Sequence, residues 1–285
     1  MASTAERISK QRDIIDRSAL AEKIEGVVRE TGAQARRPHV LEILQSALAE
    51  GRAEIKRRLG EHPSQGYHAS AEQAFLIDQI VRLIYDYETV HAYPSANRTA
   101  SERIAVLAVG GYGRGEMAPH SDVDIAFVTP YKRSSWTEQV VEAILYLLWD
   151  LGLKVGQSSR SLDETVKMAQ EDLTIRTALL ESRFVWGDRA VYEEASLRFW
   201  NEVVANTASE FVRLKMAERD DRHKRMGDSR YVVEPNIKDG KGGLRDLHTL
   251  YWIGKYIHKV SSAAELVGVG LLTAEEYNRF RKAEN

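Results

Sequence analysis

No cysteine occurs in the 285 residues, so disulfides and thiolate metal sites are excluded. There is no 18-residue apolar run to span a membrane. The residues after Met1 lack the apolar core of a secretory signal, so a cytoplasmic protein is expected. Charge of one sign is also missing: 40 Lys and Arg face 42 Asp and Glu, for a net charge of −2. The chain as a whole is therefore not a general polyanion binder, and any substrate or partner has to be argued from local features. No internal repeat is visible. What remains, 43% hydrophobic and 29% charged residues, is the composition of one large or two modest globular domains.

Most of the sequence reads as helix. Apolar residues at three-to-four spacing predict one helix over 39–60 and another from Ser70, as its N-cap, through Ala74, Ile77, Val81 and Ile84 to Pro94. Glu61 to Ala69, with Pro63 and Gly66, reads as the loop between them. The first 35 residues are polar and alanine-rich and read as a helix. Strands are expected at about 103–109, 122–128 and 153–158, with an amphipathic helix from Trp136 to Leu151 that Gly152 ends. Ser161 and Glu164 have the spacing of a capping box for a helix to Gln170. From about residue 172 the chain again reads as helical to 226, and a further helix is expected over 244–260. Thr273 opens an amphipathic helix that reaches Asn285 without a stop signal, as expected of a fragment. Trp149, Trp186, Trp200 and Trp252 fall on apolar faces and read as core.

The chemistry is concentrated between Ile104 and Val128. The apolar run Ile104 to Val109 ends in Gly110-Gly111, a turn holding Gly113, Arg114 and Gly115 follows, and Ser121-Asp122-Val123-Asp124 opens a second apolar run. Side chains at i and i+2 of a strand share a face, so Asp122 and Asp124 project together. Glycines let a backbone approach a ligand closely, and turn N–H groups bind phosphate oxygens. Arg114 is placed to neutralise a triphosphate, and Ser121 is a loop residue able to bond phosphate. Magnesium prefers one or two carboxylates plus phosphate oxygens to an all-protein cage, so Asp122 and Asp124 are its expected ligands. A dinucleotide-binding loop is disfavoured because a strand rather than a long helix comes next, and a P-loop because Gly-Lys-Ser/Thr is absent. The bland alternative is a glycine-rich hairpin with an Asp-x-Asp turn on its edge.

The glycine pair, with Asp-x-Asp embedded in the next strand, resembles the nucleotidyltransferase superfamily of the DNA polymerase beta type. Gly110 to Glu116 together with His120 to Ile125 is similar to the bacterial PII uridylyltransferase/uridylyl-removing family, as is the Val233–Trp252 stretch with its Glu234-Pro235-Asn236 and Gly242-Gly243-Leu244-Arg245-Asp246 elements. The resemblance covers roughly residues 70–260. It implies an α+β fold in which a small mixed sheet is flanked by helices. It further implies magnesium-dependent transfer of UMP from UTP to a tyrosine of the PII signalling protein. Asp122 and Asp124 then match the metal-binding pair, and Gly110 and Gly111 the loop on the triphosphate. Two departures stand out. The strand expected at 153–158 offers Lys154, Gln157 and Ser158 but no third acid, so either two aspartates suffice or Asp163, Glu164 or Asp172 reaches the site from beyond that strand, and the base acting on the tyrosine is open. The hydrolase and sensing domains that follow in the family are expected to be absent here.

On this reading 1–69 is a helical region, 70–190 the nucleotidyltransferase domain and 191–285 a helical domain. Rival readings are adenylyl transfer to a protein or small molecule, and a non-catalytic nucleotide-sensing module. No basic stripe with interleaved aromatics speaks for nucleic acid, and no membrane contact is expected. Arg213, Lys215, Arg219, Arg222, His223, Lys224, Arg225 and Arg230 read either as a solvated helix face or as an attractor of acidic groups. The Glu234–Asp246 loop, with Lys238, Lys241 and Arg245, reads either as a phosphate-contacting flap or as a tight connection capped by Asp246. His120 reads as a turn residue.

Overall fold

A computed structural model describes residues 8–95, 99–229, 233–234, 236–260 and 264–284. Arg230, Pro235 and Asn285, which belong to segments discussed above, lie outside the described residues. The chain divides into two compact units. One comprises Ala2–Lys167 and Glu181–Leu197, and the other Met168–Leu180 and Arg198–Asn285.

The first unit is α+β, as expected. Its helices are α1 (Gln11–Ile14), α2 (Arg17–Glu30), α3 (Ala33–Glu61), α4 (Gly66–Tyr87), α5 (Gly110–Arg114), α6 (Ser135–Asp150), α7 (Leu162–Glu171, which runs on past the boundary) and α9 (Arg189–Arg198). Its strands are β1 (Ala105–Ala108), β2 (Val123–Thr129), β3 (Val155–Ser161) and β4 (Arg183–Gly187). They form one mixed sheet in the order β3-β2-β1-β4. β1 is antiparallel to both β2 and β4, while β2 and β3 run parallel. Parallel neighbours need a crossover, and α6 supplies it.

Alternation sorts the sheet into two faces. Val106, Ala108, Val123, Ile125, Phe127 and Val185 join the main core with residues of α4 and α6. Ala105, Leu107, Ala126 and Val128 pack instead with Leu162, Val191 and Ala195. Full burial of a side chain such as Phe127 contributes about 2 kcal/mol. Helix α4 is buried on nearly all sides, from Ala71 to Tyr87, as a helix packed on both flanks must be.

Local signals explain most boundaries. Gly152 adopts φ +73° after α6, and the Leu153 N–H reaches Leu148 O at 3.2 Å, the hydrogen-bond pattern of a glycine C-cap. The capping box at α7 is present: Glu164 Oε2 accepts from the Ser161 N–H at 2.8 Å, and Ser161 Oγ from the Glu164 N–H at 3.3 Å.

Four expectations are corrected. Helix α4 starts at Gly66, not Ser70, and continues through a π-turn at Glu88–Ala92; Ser70 Oγ bonds back to Tyr67 O inside it. The N-terminal stretch, read as one helix, holds α1, α2 and the start of α3, and its Ile8, Ile14, Ile15 and Ile24 belong to the main core. The segment after 172 is not continuously helical, because β4 interrupts it. A short apolar run cannot be separated from helix by periodicity, and only pairing with β1 defines this strand. Trp149 is 44% exposed rather than core.

The second unit holds α8 (Leu173–Leu180), α10 (Ala208–Arg225), α11 (Leu244–His258), α12 (Glu265–Gly268) and α13 (Ala274–Glu284). The Phe211 and Tyr256 rings stack at 3.8 Å. The basic residues of α10 are not one solvated face. Lys215 is buried, lies 4.3 Å from the Trp252 ring centroid and donates to Glu218 at 2.6 Å. Arg222 and His223 both donate to Asp246. The Asp246 carboxylate also accepts from the Gly242 N–H at 2.7 Å, while Lys241 pairs with Asp228 at 2.9 Å. Among the described residues, no helix is long and apolar enough to cross a membrane.

Candidate active site

Asp124 is the second residue of β2 and Asp122 immediately precedes that strand. Val123 and Ile125 point into the main core, so alternation puts both carboxylates on the opposite face, at the end of the sheet where the glycine turn begins. Asp122 is exposed and Asp124 half-buried.

Glycine makes room for Asp124 on both sides. Gly156 on β3 is its register partner, and a Cβ on Gly156 would overlap Asp124 Oδ1. On the other flank, a Cβ on Gly110 would stand 3.1 Å from Asp124 Oδ2, and Gly110 has φ +58°. The Val109 N–H donates to Asp124 O at 3.0 Å, which ties the start of the turn to the strand that carries the carboxylate. Gly110 and Gly111 open α5 directly beside this group. Gly111 leaves space of its own: a Cβ there would meet Glu116 O at 3.2 Å and lie 3.7 Å from Arg114 Nη2.

Arg114 sits deeper than its loop position suggested. Its Nε donates to Glu116 Oε2 at 2.6 Å and its Nη1 to both oxygens of Glu181 at 2.8 Å. Burial pulls the Arg114 pKa down, but the Glu181 and Glu116 carboxylates outweigh it and the net shift is upward. Two of its three nitrogens are thus taken by carboxylates, and Nη2 lies against Gly111. Ser121 closes the turn before β2: its Oγ accepts from the Ala118 N–H at 2.9 Å, and its N–H donates to Ala118 O at 3.0 Å. His120 is exposed in that same turn.

The residues that hold the turn from behind were not foreseen. Arg183 on β4 pairs with Asp78 on α4 at 2.7 and 3.1 Å. The same guanidinium donates to Tyr112 O at 3.2 Å and to Gly113 O at 3.3 Å. Burial opposes the Arg183 charge, Asp78 supports it, and the net pKa shift is upward. Tyr112 is buried, and burial pushes its hydroxyl well above the usual range. Sequence gave a signal only for the turn itself, since the partners of its brace lie far away along the chain.

β3 sets no acid beside Asp124. β3 lies beside β2 in parallel, and Gly156 stands where it meets Asp124. Asp163 and Glu164 follow the far end of β3, roughly 16 Å further along at about 3.3 Å per residue. Glu164 is also engaged with Ser161, and Asp172 caps α8 by accepting from the Ile175 N–H at 2.9 Å. Among the described residues, no group of three or more His, Asp or Glu side chains is arranged to hold a metal ion. Two exposed-to-half-buried carboxylates without a closed cage fit a magnesium ion that shares its coordination with phosphate oxygens.

Known proteins resemble this chain in two segments and over nearly its whole length. A nucleotidyltransferase domain model matches residues 95–184, and a GlnD PII-uridylyltransferase model matches residues 210–285. Curated proteins called bifunctional uridylyltransferase/uridylyl-removing enzyme are similar over nearly the whole chain. The protein from Novosphingobium aromaticivorans is 66% identical over 98% of this chain and 30% of its own length. That from Erythrobacter litoralis is 62% identical over 99% of this chain and 30% of its own length, and that from Rhodospirillum rubrum 54% identical over 98% and 30%. The chain thus spans about 30% of the length of these relatives. With both motif segments matched and the sheet in place, the chain carries a nucleotidyltransferase domain and is similar over nearly its whole length to part of the bifunctional uridylyltransferase/uridylyl-removing enzymes.

Proposed function

We propose that this chain transfers UMP from UTP to a tyrosine hydroxyl of the PII nitrogen-regulatory protein and releases pyrophosphate, in the cytoplasm. The observation that carries this reading is the Asp124 carboxylate held between Gly110 and Gly156, with Asp122 on the same face. The names of the relatives support the choice of a uridylyl group. Within the chain, the nucleotidyltransferase domain is taken as 70–190, between helical regions 1–69 and 191–285.

Asp122 and Asp124 would hold magnesium, which supplies charge neutralisation at the phosphates. Backbone N–H groups at Gly110 and Gly111 would hold phosphate oxygens, and Ser121 fixes the turn that delivers Asp122 to the strand. In the reaction, the tyrosine oxygen forms a bond to the α-phosphorus as the bond from that phosphorus to the bridging oxygen breaks and pyrophosphate leaves. The phenolic proton passes to water. A phenol, with an ordinary pKa of about 10, gives up its proton more readily than an aliphatic hydroxyl, which suits a site whose neighbouring strand presents no acid.

The test is incubation of the chain with purified PII, magnesium and each nucleoside triphosphate in turn, followed by intact mass. A gain of one UMP per PII subunit with UTP alone is the expected result. A gain of AMP would replace this reading with adenylyl transfer. Nucleotide binding that needs no magnesium and releases no pyrophosphate would replace it with a sensing module.

A further inference from the structure

We propose that Arg183, together with Asp78 and the Arg114–Glu181 pair, is a positioning device that sets the glycine turn against Asp124. It rests on the functional reading above only for its kinetic readout.

Helix α5 is five residues long, too short to be stable by itself, and its glycines carry a large backbone entropy. Its geometry has to be imposed from outside. The segment Glu181–Arg183 imposes it twice. The Glu181 carboxylate grips Arg114 of the turn at 2.8 Å, while Arg183 grips the turn's carbonyls at Tyr112 and Gly113. Side chain and main chain are thus held by residues two positions apart. The contact is close: a Cβ on Gly113 would overlap Glu181 O. Asp78, buried on α4, anchors Arg183 in turn. The opposite side of the turn is the Gly110 contact with Asp124. A small displacement at Gly113 is therefore passed to the carboxylate slot through the two residues between it and Gly110.

Stability alone does not account for this arrangement. Desolvating two ion pairs is expensive, and apolar replacements of similar volume are often as stable or more so. Planar guanidinium forks contribute direction instead, since one Arg183 can satisfy a carboxylate and two carbonyls at fixed angles. Lysine, as a compact point charge, cannot span all of them.

The deciding experiment uses the full chain with Asp78→Leu/Arg183→Met as an apolar pair and Arg183→Lys as the charge-preserving variant. Two readouts are taken: steady-state kcat and KM for UTP, and amide hydrogen exchange of 110–113 measured against the strands of the sheet. The double variant is expected to keep strand protection, to exchange at 110–113 about 100-fold faster, and to lose about 100-fold in kcat, the scale of a 1 Å misplacement. Arg183→Lys is expected to fall between it and the wild type. Wild-type kcat and unchanged exchange in a folded double variant would overturn the proposal. If the double variant does not fold, Arg183→Lys decides: wild-type values in both readouts overturn it. If the wild type itself transfers no nucleotide, the functional reading fails, and the exchange at 110–113 still decides whether the brace exists.

Discussion

Asp124 and Gly156 face each other across the parallel pair β2/β3, and the space that a side chain on Gly156 would fill is occupied by Asp124 Oδ1. The glycine is therefore part of the carboxylate's binding geometry even though it offers no functional group. Gly156→Ala should force the Asp124 side chain to turn away while the strand pairing persists. The expected outcome is a loss of about 100-fold in kcat, with Tm within a few degrees of the wild type. Wild-type kcat in this variant would show that the Asp124 rotamer is unimportant.

Glu88, in the π-turn after α4, predicts a pH dependence of stability. Burial raises its carboxyl from 4.5 to about 7, against a smaller opposing pull from Arg37. The folded state therefore holds this proton more tightly than the unfolded chain does. Stability from the neutral form is complete below pH 4.5 and is lost as pH rises to about 7. The change is on the order of 3 kcal/mol at about 1.4 kcal/mol per unit. Urea unfolding between pH 5 and 8 should show this slope in the wild type and a flatter one in Glu88→Gln, with the variant more stable at pH 8. Equal slopes would contradict it.

In the second unit, Asp246 collects Arg222, His223 and the Gly242 N–H. Burial works against its charge, but the Gly242 N–H, His223 and Arg222 outweigh it and depress the pKa. This carboxylate stabilises the fold above the ordinary carboxylate range, and that contribution is lost as pH falls through its lowered folded value. Asp246→Asn should cost about 2–4 kcal/mol at neutral pH, because two buried cationic or donor groups lose their acceptor. Chemical denaturation checks it, and a loss below about 0.5 kcal/mol, the scale of a surface substitution, would show the network to be incidental.

How much of this was legible in the sequence depends on the range of the interaction. Asp122 and Asp124 were placed on one face because alternation is a local rule and Val123 and Ile125 are apolar. The α7 capping box and the Gly152 stop were readable for the same reason. β4 was not, since its few residues acquire strand character only by pairing with β1. The brace was hidden by distance along the chain: Arg114 and Glu181 are 67 positions apart, and Asp78 and Arg183 are 105 apart. The phosphate-facing fork expected of Arg114 assumed a solvated loop, whereas the structure gives its Nε and Nη1 to buried or half-buried acids. The burial of Lys215 against Trp252 matches neither reading of its helix, because a charge pattern does not reveal a tryptophan across the helix pair.

The central claim, that the Asp122–Asp124 pair is the working centre of uridylyl transfer, is tested most directly by intact mass of PII after incubation with UTP and magnesium, wild type beside Asp124→Asn. Wild type should add one UMP per PII subunit, and the variant, with unchanged circular dichroism and Tm, should add none. An Asp124→Asn chain that modifies PII at near the wild-type rate would contradict the account.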